Sequence, residues 1–260
     1  MMMNFTTKTA LITGAATGIG AASARKLCEQ KVAALILLDI AAPALQLLAD
    51  ELASEFPATR VLTCIADIAN EQALRSALQP LLHQLERVDI VVNSAGVGDE
   101  NEPEETHIWH KVLGINLHGT YHTTIAALEF MPNGGRIINV SSILGRAGNV
   151  RNTAYCTSKH AILGFSKSLA LDLAPRKITV NAVLPGWIDT PMLRREIALN
   201  AEKIGADPEQ MLRNAKKKIP LKRLTPSEDV ANLIAFIASD EASSMTAQSF
   251  TIDGGFTCGV

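Results

Sequence analysis

The chain has little net charge and no long hydrophobic run. Its 260 residues carry 24 Lys and Arg against 26 Asp and Glu, which leaves a formal net charge of −2. This balance gives no electrostatic basis for binding nucleic acid or an anionic membrane surface. The longest apolar stretch, residues 32–38, is far too short to cross a bilayer. The sequence therefore predicts neither a nucleic-acid partner nor a membrane segment.

Cysteine is also scarce, and the cysteines present are widely spaced. Cys28, Cys64, Cys156 and Cys258 contain no C-x-x-C pair, which argues against both a zinc site and a disulfide framework. We therefore expect no bound metal and a cytoplasmic, reducing environment. We expect no secretory signal either, because the first apolar strand begins at Thr9.

Repeats, low-complexity tracts and interdomain linkers are absent too. Strand-like and helix-like segments alternate instead, which predicts a parallel sheet with right-handed crossovers. The predicted strands are 9–12, 34–38, 60–66, 88–92, 136–140, 178–183 and 249–252. The predicted helices are 21–30, 43–56, 71–85, 106–131 and 153–173. The 47% apolar content fits strands that are buried on both faces.

A glycine-rich turn joins the first strand to the first helix. Gly14, Gly18 and Gly20 lie in the segment Thr-Gly-Ala-Ala-Thr-Gly-Ile-Gly at residues 13–20. Glycines at such a turn let the backbone approach a pyrophosphate, which then binds at the helix N-terminus. An ordinary tight turn would also use glycine. Here, however, the turn opens a βαβ unit, which favours dinucleotide binding.

Asp39 follows the second strand, about twenty residues past the glycines, where an acidic side chain accepts hydrogen bonds from the adenosine ribose hydroxyls. It could instead be a helix N-cap, but that role does not explain the spacing. A carboxylate would repel a 2′-phosphate, and no positive charge lies in the glycine loop or directly after the second strand. The sequence therefore predicts NAD rather than NADP.

Tyr155 and Lys159 are one helical turn apart, so their side chains share a face. An ammonium beside a phenol favours the phenolate, and the spacing predicts that the pKa of Tyr155 falls from ~10 towards ~7. Such a tyrosine exchanges a proton with an alcohol or ketone oxygen at neutral pH. Taken alone, the pattern would equally describe a pair on a helix surface.

Five motifs follow one another along the chain. They are the glycine segment, Asn-Ser-Ala-Gly at 93–96, Asn116, Ser142 with the Tyr-x-x-x-Lys pair, and Pro-Gly at 185–186 followed by Thr190. In this order and spacing they resemble the short-chain dehydrogenase/reductase family over essentially the whole chain. Ser94 is the one departure, since the family has a second Asn there. The resemblance implies a single, doubly wound α/β Rossmann domain over residues 1–260, with a seven-stranded parallel sheet and helices on both faces.

The resemblance also implies hydride transfer between a nicotinamide cofactor and a secondary alcohol or its ketone. Asn116, Ser142, Tyr155 and Lys159 match the catalytic tetrad. Tyr155 would be the general acid or base, Ser142 would hold the substrate oxygen, Lys159 would bind the nicotinamide ribose, and Asn116 would anchor a proton-relay water. The expected cofactor contacts are Gly14, Thr17, Gly18, Ile19, Gly20, Asp39, Asp67, Ile68, Asn93, Ala95, Gly96, Tyr155, Lys159, Pro185, Gly186, Ile188 and Thr190.

The expected substrate is a small uncharged secondary alcohol, cyclic alcohol or polyol. The family pattern implies contacts from Ser142, Leu144, Asn152, Tyr155, Trp187 and Met192. The segment around Trp187 resembles bacterial 3-hydroxybutyrate dehydrogenases, which hold the substrate carboxylate with a Gln, a His and a Lys. Val97 or Gly98, Leu144 and Asn152 occupy the matching positions here. The missing clamp argues against a small hydroxy-acid anion.

The alternation of strands and helices stops between Gly186 and Pro226. A charged, helical stretch at 192–218 replaces it, split near Gly205 and Asp207-Pro208. Insertions of this length are usually functional, and in the resembling family this one covers the substrate. We therefore expect a helical substrate lid at about 187–225. A plain surface excursion is the alternative.

Two rival functions stay open at this point. A 3-oxoacyl-carrier-protein or hydroxyacyl reductase would share the fold and the tetrad, but it would use NADPH, against which Asp39 argues. A non-catalytic NAD-binding sensor would usually lack the Tyr or the Lys. We expect a homotetramer, because the predicted helix 153–173 carries apolar residues on more than one face.

Overall fold

Residues 3–258 are described by a computed structural model, which confirms the predicted fold class. The strands are β1 (Thr9–Thr13), β2 (Ala34–Asp39), β3 (Arg60–Ile65), β4 (Ile90–Asn93), β5 (Arg136–Val140), β6 (Thr179–Pro185) and β7 (Ser249–Ile252). They form one parallel sheet in the order β3-β2-β1-β4-β5-β6-β7. Each predicted strand is present, with its ends within about two residues of the prediction, as is usual for such boundaries.

The helices that connect the strands include every predicted one except the long helix at 106–131, which is divided. They are α1 (Gly18–Glu29), α2 (Ala42–Glu55), α3 (Glu71–Leu85), α4 (Thr106–Leu113), α5 (Thr120–Leu128), α6 (Thr153–Leu173), α7 (Pro191–Ile204), α8 (Pro208–Lys218) and α9 (Ser227–Ala238). No helix in the described part of the chain is long and apolar enough to span a membrane. Sequence reasoning missed α9, although Glu228 and Asp229 in its first turn complement the positive end of the helix dipole.

The sheet is covered on both faces because its side chains alternate. In β1, Ala10 and Ile12 join a core with α1, α2 and α9, whereas Leu11 joins a second core with α3, α5 and α6. This period of two is the ordinary consequence of the strand pleat. With apolar residues on both faces, the strands read as continuous hydrophobic runs.

The order of the strands reverses next to β1, which pairs with both β2 and β4. Thr13, the last residue of β1, is in register with Leu38 on one side and Asn93 on the other. The chain leaves β1 and β4 toward opposite faces, so a crevice opens beyond their carboxyl ends. Ligands of open α/β sheets bind at this switch point.

The long helix predicted at 106–131 is not a uniform α-helix, and this expectation is corrected. A π-helical segment, Gly114–Gly119, separates α4 from α5 and contains Asn116. The wider i→i+5 turn places one extra residue in the helix without ending it, and such bulges often occur at functional sites. The bulge therefore orients Asn116 toward the crevice loop.

The segment after β6 is helical and divided where the sequence predicts. Gly205 ends α7 in a left-handed conformation with φ of +65°, and Asp207 caps α8 by accepting hydrogen bonds from Glu209 N (3.0 Å) and Gln210 N (3.2 Å). The two helices share a small apolar cluster that includes Ile197 and Leu212. Whether this segment acts as a lid stays a prediction.

Candidate active site

The glycine loop fits tightly against the end of β4. Gly14 has φ of +65°, and a Cβ there would lie 2.7 Å from Ala95 Cα. A Cβ at Gly20 would lie 2.1 Å from the Gly14 carbonyl oxygen. Thr13 Oγ1 accepts hydrogen bonds from the backbone N–H groups of Ser94 and Ala95, both at 3.1 Å. Close backbone packing therefore explains why these positions are glycine.

The N-terminus of α1 is open to an anion. Its N-cap residue, Thr17, makes no side-chain hydrogen bond to the helix, and no acidic residue lies in the first turn. Gly18 has φ of +57°, and a Cβ there would lie 3.2 Å from Thr190 Cγ2. Uncapped N–H groups and the helix dipole together favour a phosphate. The residues present therefore fit the pyrophosphate of a dinucleotide, with Ile19 and Gly20 in the same turn.

Asp39, at the end of β2, lies beside the glycine loop. Its Oδ2 accepts a hydrogen bond from Ala16 N at 3.0 Å, and its Oδ1 accepts one from Ala41 N at 2.9 Å. These bonds fix the plane of the carboxylate, and each oxygen keeps a lone pair for a further donor. The arrangement suits the two hydroxyls of a ribose.

Asp67 and Ile68 follow β3 on the same side of the crevice. Asp67 is exposed, and its Oδ1 accepts a hydrogen bond from Ala69 N at 2.9 Å. Ile68 is buried against Gly119, where a Cβ would lie 2.5 Å from Ile68 Cγ1. The Ile68 side chain therefore packs in the core, and any contact of Ile68 with a cofactor would come from its backbone.

Asn93 is buried inside the sheet–helix layer. Its Nδ2 donates to Thr124 Oγ1 at 2.9 Å and to Asn139 Oδ1 at 2.8 Å, and Asn139 Nδ2 in turn donates to Ser166 Oγ at 2.8 Å. This network ties β4 to β5, α5 and α6. The predicted cofactor role of Asn93 can therefore concern only its backbone.

Asn116 clamps the loop that follows β4. Its Oδ1 accepts from Val97 N at 2.8 Å, and its Nδ2 donates to Val97 O at 2.9 Å and to Ser158 Oγ at 3.1 Å. A Cβ at Gly96 would lie 3.2 Å from Asn116 Oδ1 and 3.5 Å from Lys159 Nζ. Asn116, Gly96 and Lys159 are therefore close neighbours, as the family pattern implies.

Ser142, Tyr155 and Lys159 come together between β5 and α6. Ser142 Oγ accepts a hydrogen bond from Leu144 N at 3.1 Å, and the Ser142 hydroxyl is near enough to the Tyr155 phenol to lower its pKa. Lys159 Nζ lies 5.5 Å from the centroid of the Tyr155 ring and donates to the Val140 carbonyl at 3.0 Å. The predicted tetrad therefore forms one contiguous group.

The predicted lowering of the Tyr155 pKa is contradicted. Burial raises the pKa of Tyr155 to about 12, the nearby Ser142 hydroxyl opposes this, and the charge of Glu196 adds to it. Burial also lowers the pKa of Lys159 to about 8. The spacing argument failed because Lys159 Nζ lies beside the ring and bonds a carbonyl, while both groups are desolvated.

The segment after β6 closes the other side of the crevice. A Cβ at Gly186 would lie 2.7 Å from Asp253 Cβ, so this backbone, which follows Pro185, is packed closely against the end of β7. Ile188 is buried and forms a β-bridge with Thr225. Thr190 then caps α7 by accepting a hydrogen bond from Leu193 N at 3.3 Å. α7 therefore begins directly above the glycine loop.

The residues expected to contact substrate differ from one another in burial and in their neighbours. Leu144 is half-buried next to Ser142, and Asn152 is buried with its Nδ2 donating to Val150 O at 3.2 Å. Trp187 packs against the apolar cluster of α7 and α8, whereas Met192 is 42% exposed. The substrate roles of these residues stay predictions.

Glu196 is a feature of the site that sequence reasoning missed. Its carboxylate lies against Gly98, where a Cβ would be 2.2 Å from Glu196 Oε1. Burial, with the charges of Asp99 and Glu100, raises the pKa of Glu196 to about 7, although Arg195 lowers it. A helical pattern of inward residues at 193, 197 and 201 would have placed position 196 on the inner face.

The chain is similar to oxidoreductases in sequence and in structure. Residues 14–257 match the family profile described as "Enoyl-(Acyl carrier protein) reductase". The chain is 38% identical to "Oxidoreductase UcpA" of Escherichia coli (strain K12), with 98% of this chain and 97% of that protein covered. It is 37% identical to "3-oxoacyl-[acyl-carrier-protein] reductase FabG" of Thermotoga maritima, with coverage of 95% and 97%.

One solved structure is closely similar in fold. It is the L-sorbose reductase of Gluconobacter frateurii complexed with NADPH and L-sorbose, with a TM-score of 0.93, 26% identity and 100% of both chains covered. The chain belongs to the short-chain dehydrogenase/reductase family of oxidoreductases.

Proposed function

We propose that this protein is an NAD-preferring dehydrogenase that interconverts a small uncharged secondary alcohol, cyclic alcohol or polyol with its ketone. One observation carries the proposal: Ser142, Tyr155 and Lys159 converge at the crevice that also holds the open end of α1 and the Asp39 carboxylate. Proton transfer and dinucleotide binding are thereby brought to one place.

The cofactor, when bound, supplies hydride donation or acceptance. The first turn of α1 would hold its pyrophosphate, Asp39 its adenosine ribose, and Lys159 its nicotinamide ribose. Asp39 would accept from a free 2′-hydroxyl and repel a 2′-phosphate. The Gluconobacter frateurii reductase was solved with NADPH, so the preference of this chain depends on Asp39 and not on the family as a whole.

The protein's own groups perform the proton transfer. Tyr155, whose pKa is about 12, is protonated at neutral pH and therefore suited to donate its phenolic proton to a ketone oxygen. Ser142 would hold that same oxygen as negative charge develops on it. In the opposite direction Tyr155 must first lose its proton, so alcohol oxidation should be favoured by alkaline conditions. Asn116 fixes the loop against which Lys159 packs.

A neutral substrate is supported by the chemistry of the site and by one relative. L-sorbose, present in the Gluconobacter frateurii structure, is a neutral hydroxylated ketone. Asp99 and Glu100 lie close to Lys111, Arg151 and Lys203, whereas Glu196 has no ion-pair partner among the described residues. The negative charge of Glu196 would repel an anion and favours a hydroxylated ketone over a keto acid.

Reduction of a carrier-bound 3-oxoacyl group is the second candidate function. The 37% identity to the Thermotoga maritima reductase favours it. An acidic carrier protein would need a basic surface, whereas this chain has a net charge of −2 and acidic residues around its crevice. The acyl-carrier function is therefore the weaker of the two.

A cofactor-linked activity screen tests the proposal directly. The protein should oxidise NADH with neutral ketones from a panel of hydroxyketones, cyclic ketones and simple ketones, and should do so faster than with NADPH. The same panel should include a 3-oxoacyl thioester as the competing substrate. Faster turnover of the thioester with NADPH would replace the proposed function with the second candidate, and no turnover of any ketone would overturn the enzymatic assignment.

A further inference from the structure

The loop that follows β4 joins two helices of the site. On one side, Asn101 Oδ1 accepts a hydrogen bond from Ala154 N at 3.1 Å, at the start of α6, which carries Tyr155. On the other side, Glu100 Oε1 accepts one from Asn200 Nδ2 at 2.9 Å, on α7. The loop therefore lies between the helix that bears the catalytic tyrosine and the first helix of the predicted lid.

Glu196 projects from α7 onto this loop. Its Oε1 would be 2.2 Å and its Cδ 3.2 Å from a Cβ at Gly98, so the carboxylate occupies the space that a side chain at position 98 would take. Gly98 comes two residues after Gly96, whose Cβ position is 3.5 Å from Lys159 Nζ. The charge of Glu196 also acts on Tyr155, whose pKa it helps to raise. The carboxylate is therefore part of the crevice that contains the proton-transfer group.

The neighbouring acidic side chains have partners, and Glu196 differs from them. Asp99 forms an ion pair with Lys111 Nζ at 2.5 Å, and Glu100 is bonded by Asn200. Among residues 3–258, no hydrogen bond contributes to the pKa of Glu196, which burial raises to about 7. An oxygen acceptor held in a partly buried site without a donor is suited to a donor from a ligand.

We infer that Glu196 determines substrate specificity by accepting a hydrogen bond from a hydroxyl group of a neutral ketone or alcohol, and by repelling substrates that carry a carboxylate at that position. The inference rests on the proposed function and narrows its substrate class. A hydroxyl gains a charge-assisted hydrogen bond, whereas a carboxylate meets a like charge at short range. The attraction of the hydroxyl and the repulsion of the carboxylate both favour the hydroxylated substrate, and specific sites commonly combine the two.

The selection depends on the charge of Glu196 and therefore on pH. The charged and titratable groups that face it are Arg195 on its own helix, Asp99 and Glu100 on the loop, and Tyr155 on α6. Lys111 is paired with Asp99, and Arg151 and Lys203 lie within 4.0 Å of Glu100. With the pKa of Glu196 at about 7, the discrimination should grow as pH rises through neutrality.

Two four-carbon ketones make a matched pair of probes. 4-Hydroxy-2-butanone ends in a hydroxyl where acetoacetate ends in a carboxylate, and 2-butanone has neither group. The measured quantity is the ratio of kcat/KM for the hydroxyketone to kcat/KM for acetoacetate, with NADH, at about pH 5.5 and about pH 8.5. Titration of Tyr155 affects both substrates alike, whereas the loss of the Lys159 charge also disfavours acetoacetate at high pH. The contribution of Glu196 is therefore the difference between the wild type and Glu196→Gln.

The wild type should show a ratio at least ~10-fold higher at the alkaline pH, because like charges disfavour acetoacetate there. In Glu196→Gln the ratio at that pH should fall at least ~10-fold and depend less on pH than in the wild type, while the rate with 2-butanone reports any general change in activity. Glu202→Gln, on the exposed side of α7, is the matched control and should behave as the wild type. Circular dichroism and NADH binding check that each variant is folded.

Two results would overturn the inference, and they are distinguishable. An unchanged ratio in Glu196→Gln, or a pH-independent ratio in the wild type, would remove Glu196 from substrate selection while the proposed function stands. Failure of the wild type to reduce any of the three ketones with NADH would count against the proposed function, and the inference would fall with it. If Glu196→Gln does not fold, Glu196→Ala also removes the charge and should lower the ratio at alkaline pH in the same way.

Discussion

At the scale of single residues, a hydrogen bond between Asp39 and Ala16 N fixes a carboxylate beside the glycine loop. The ribose of an NAD cofactor can donate to such a carboxylate, whereas the 2′-phosphate of NADP is repelled by it. Cofactor preference can therefore be altered by removing one charge.

Asp39→Asn keeps an oxygen acceptor and removes the charge. We expect the ratio of kcat/KM for NAD to kcat/KM for NADP to fall at least ~10-fold, since hydrogen bonds to charged groups are worth about 1.5–3 kcal/mol. Asp39→Ala should lower the ratio as well, and Asp50→Ala on the exposed face of α2 should not. A wild type that prefers NADP, or an unchanged ratio in both Asp39 variants, contradicts the argument.

Glu196 links protonation to stability. Its folded-state pKa of about 7 lies above its ordinary value of 4.5, so between these values the folded state binds more protons than the unfolded state. Stability should therefore fall as pH rises from about 4.5 through about 7, and the loss should be complete above the folded-state value.

Glu196→Gln removes this loss. At about pH 8 the variant should gain on the order of 1–3 kcal/mol in the free energy of unfolding relative to the wild type, and at about pH 4 it should gain nothing from this source. The range is below the full conversion of the shift, because the group is only partly buried. Urea unfolding at the two pH values measures the difference. The same difference at both pH values would show that Glu196 has no raised pKa in the folded state.

The sequence predicts those residues of the site that lie in motifs with a fixed spacing along the chain. The glycine loop, Asp39 and the tetrad are recognisable because strand ends and helical turns place them together. The sign of the Tyr155 pKa shift could not be obtained in this way, because burial depends on the tertiary structure. Glu196 was also missed, since its approach to Gly98 joins distant parts of the chain.

At the scale of elements, the alternation of apolar and polar segments was sufficient to locate the strands and most of the helices. It located α3 and α6 to the residue. The π-helical segment around Asn116 was not predicted, because residues 106–128 read in the sequence as one continuous helix. The sequence also did not predict that the Asn93 side chain is buried, because its hydrogen-bond partners, Thr124 and Asn139, are distant in the chain.

α7 and α8 are the elements on which substrate access should depend. They pack mainly on their own apolar cluster, and Ile204 on α7 is 69% exposed. Elements with few contacts to the main core open more easily than core strands. Closure of such a segment over a bound substrate would exclude water from the reaction.

Hydrogen exchange should show this dependence. With NADH and a substrate analogue bound, residues 191–218 should gain more protection than any other segment of the chain, because ligand contacts would hold both helices closed. α3, which lies outside the site, is the internal reference. Equal protection of 191–218 with and without ligand would mean that the segment is a rigid surface feature.

At the scale of the whole molecule, the exposed face of α6 and the neighbouring part of α5 carry both apolar and polar side chains. Leu171 is 72% exposed, and Tyr121 of α5 is 47% exposed beside Phe165, with their ring centroids 6.1 Å apart. His160 and Lys167 are also exposed on α6, so the outward face is less apolar than the sequence predicts. The exposed apolar side chains nevertheless suit a contact with a second copy of the helix.

We expect a homotetramer with closed symmetry. Light scattering at micromolar concentration should give about four times the 27.8 kDa mass of the chain. Leu171→Glu should lower the measured mass, because a charge would be buried in the contact. Leu199→Glu, at an exposed leucine of α7, should not. A monomeric wild type would refute the expectation.

The central claim is that Tyr155 transfers the proton in an NAD-linked reaction between an alcohol and a ketone. The chain has only two tyrosines, so Tyr155→Phe and the matched control Tyr121→Phe each delete a single hydroxyl. The measurement is kcat for the best ketone of the panel with NADH, together with NADH binding by fluorescence. The account predicts that Tyr155→Phe loses at least ~100-fold in kcat and still binds NADH, while Tyr121→Phe keeps wild-type turnover. Near wild-type turnover in Tyr155→Phe would contradict it.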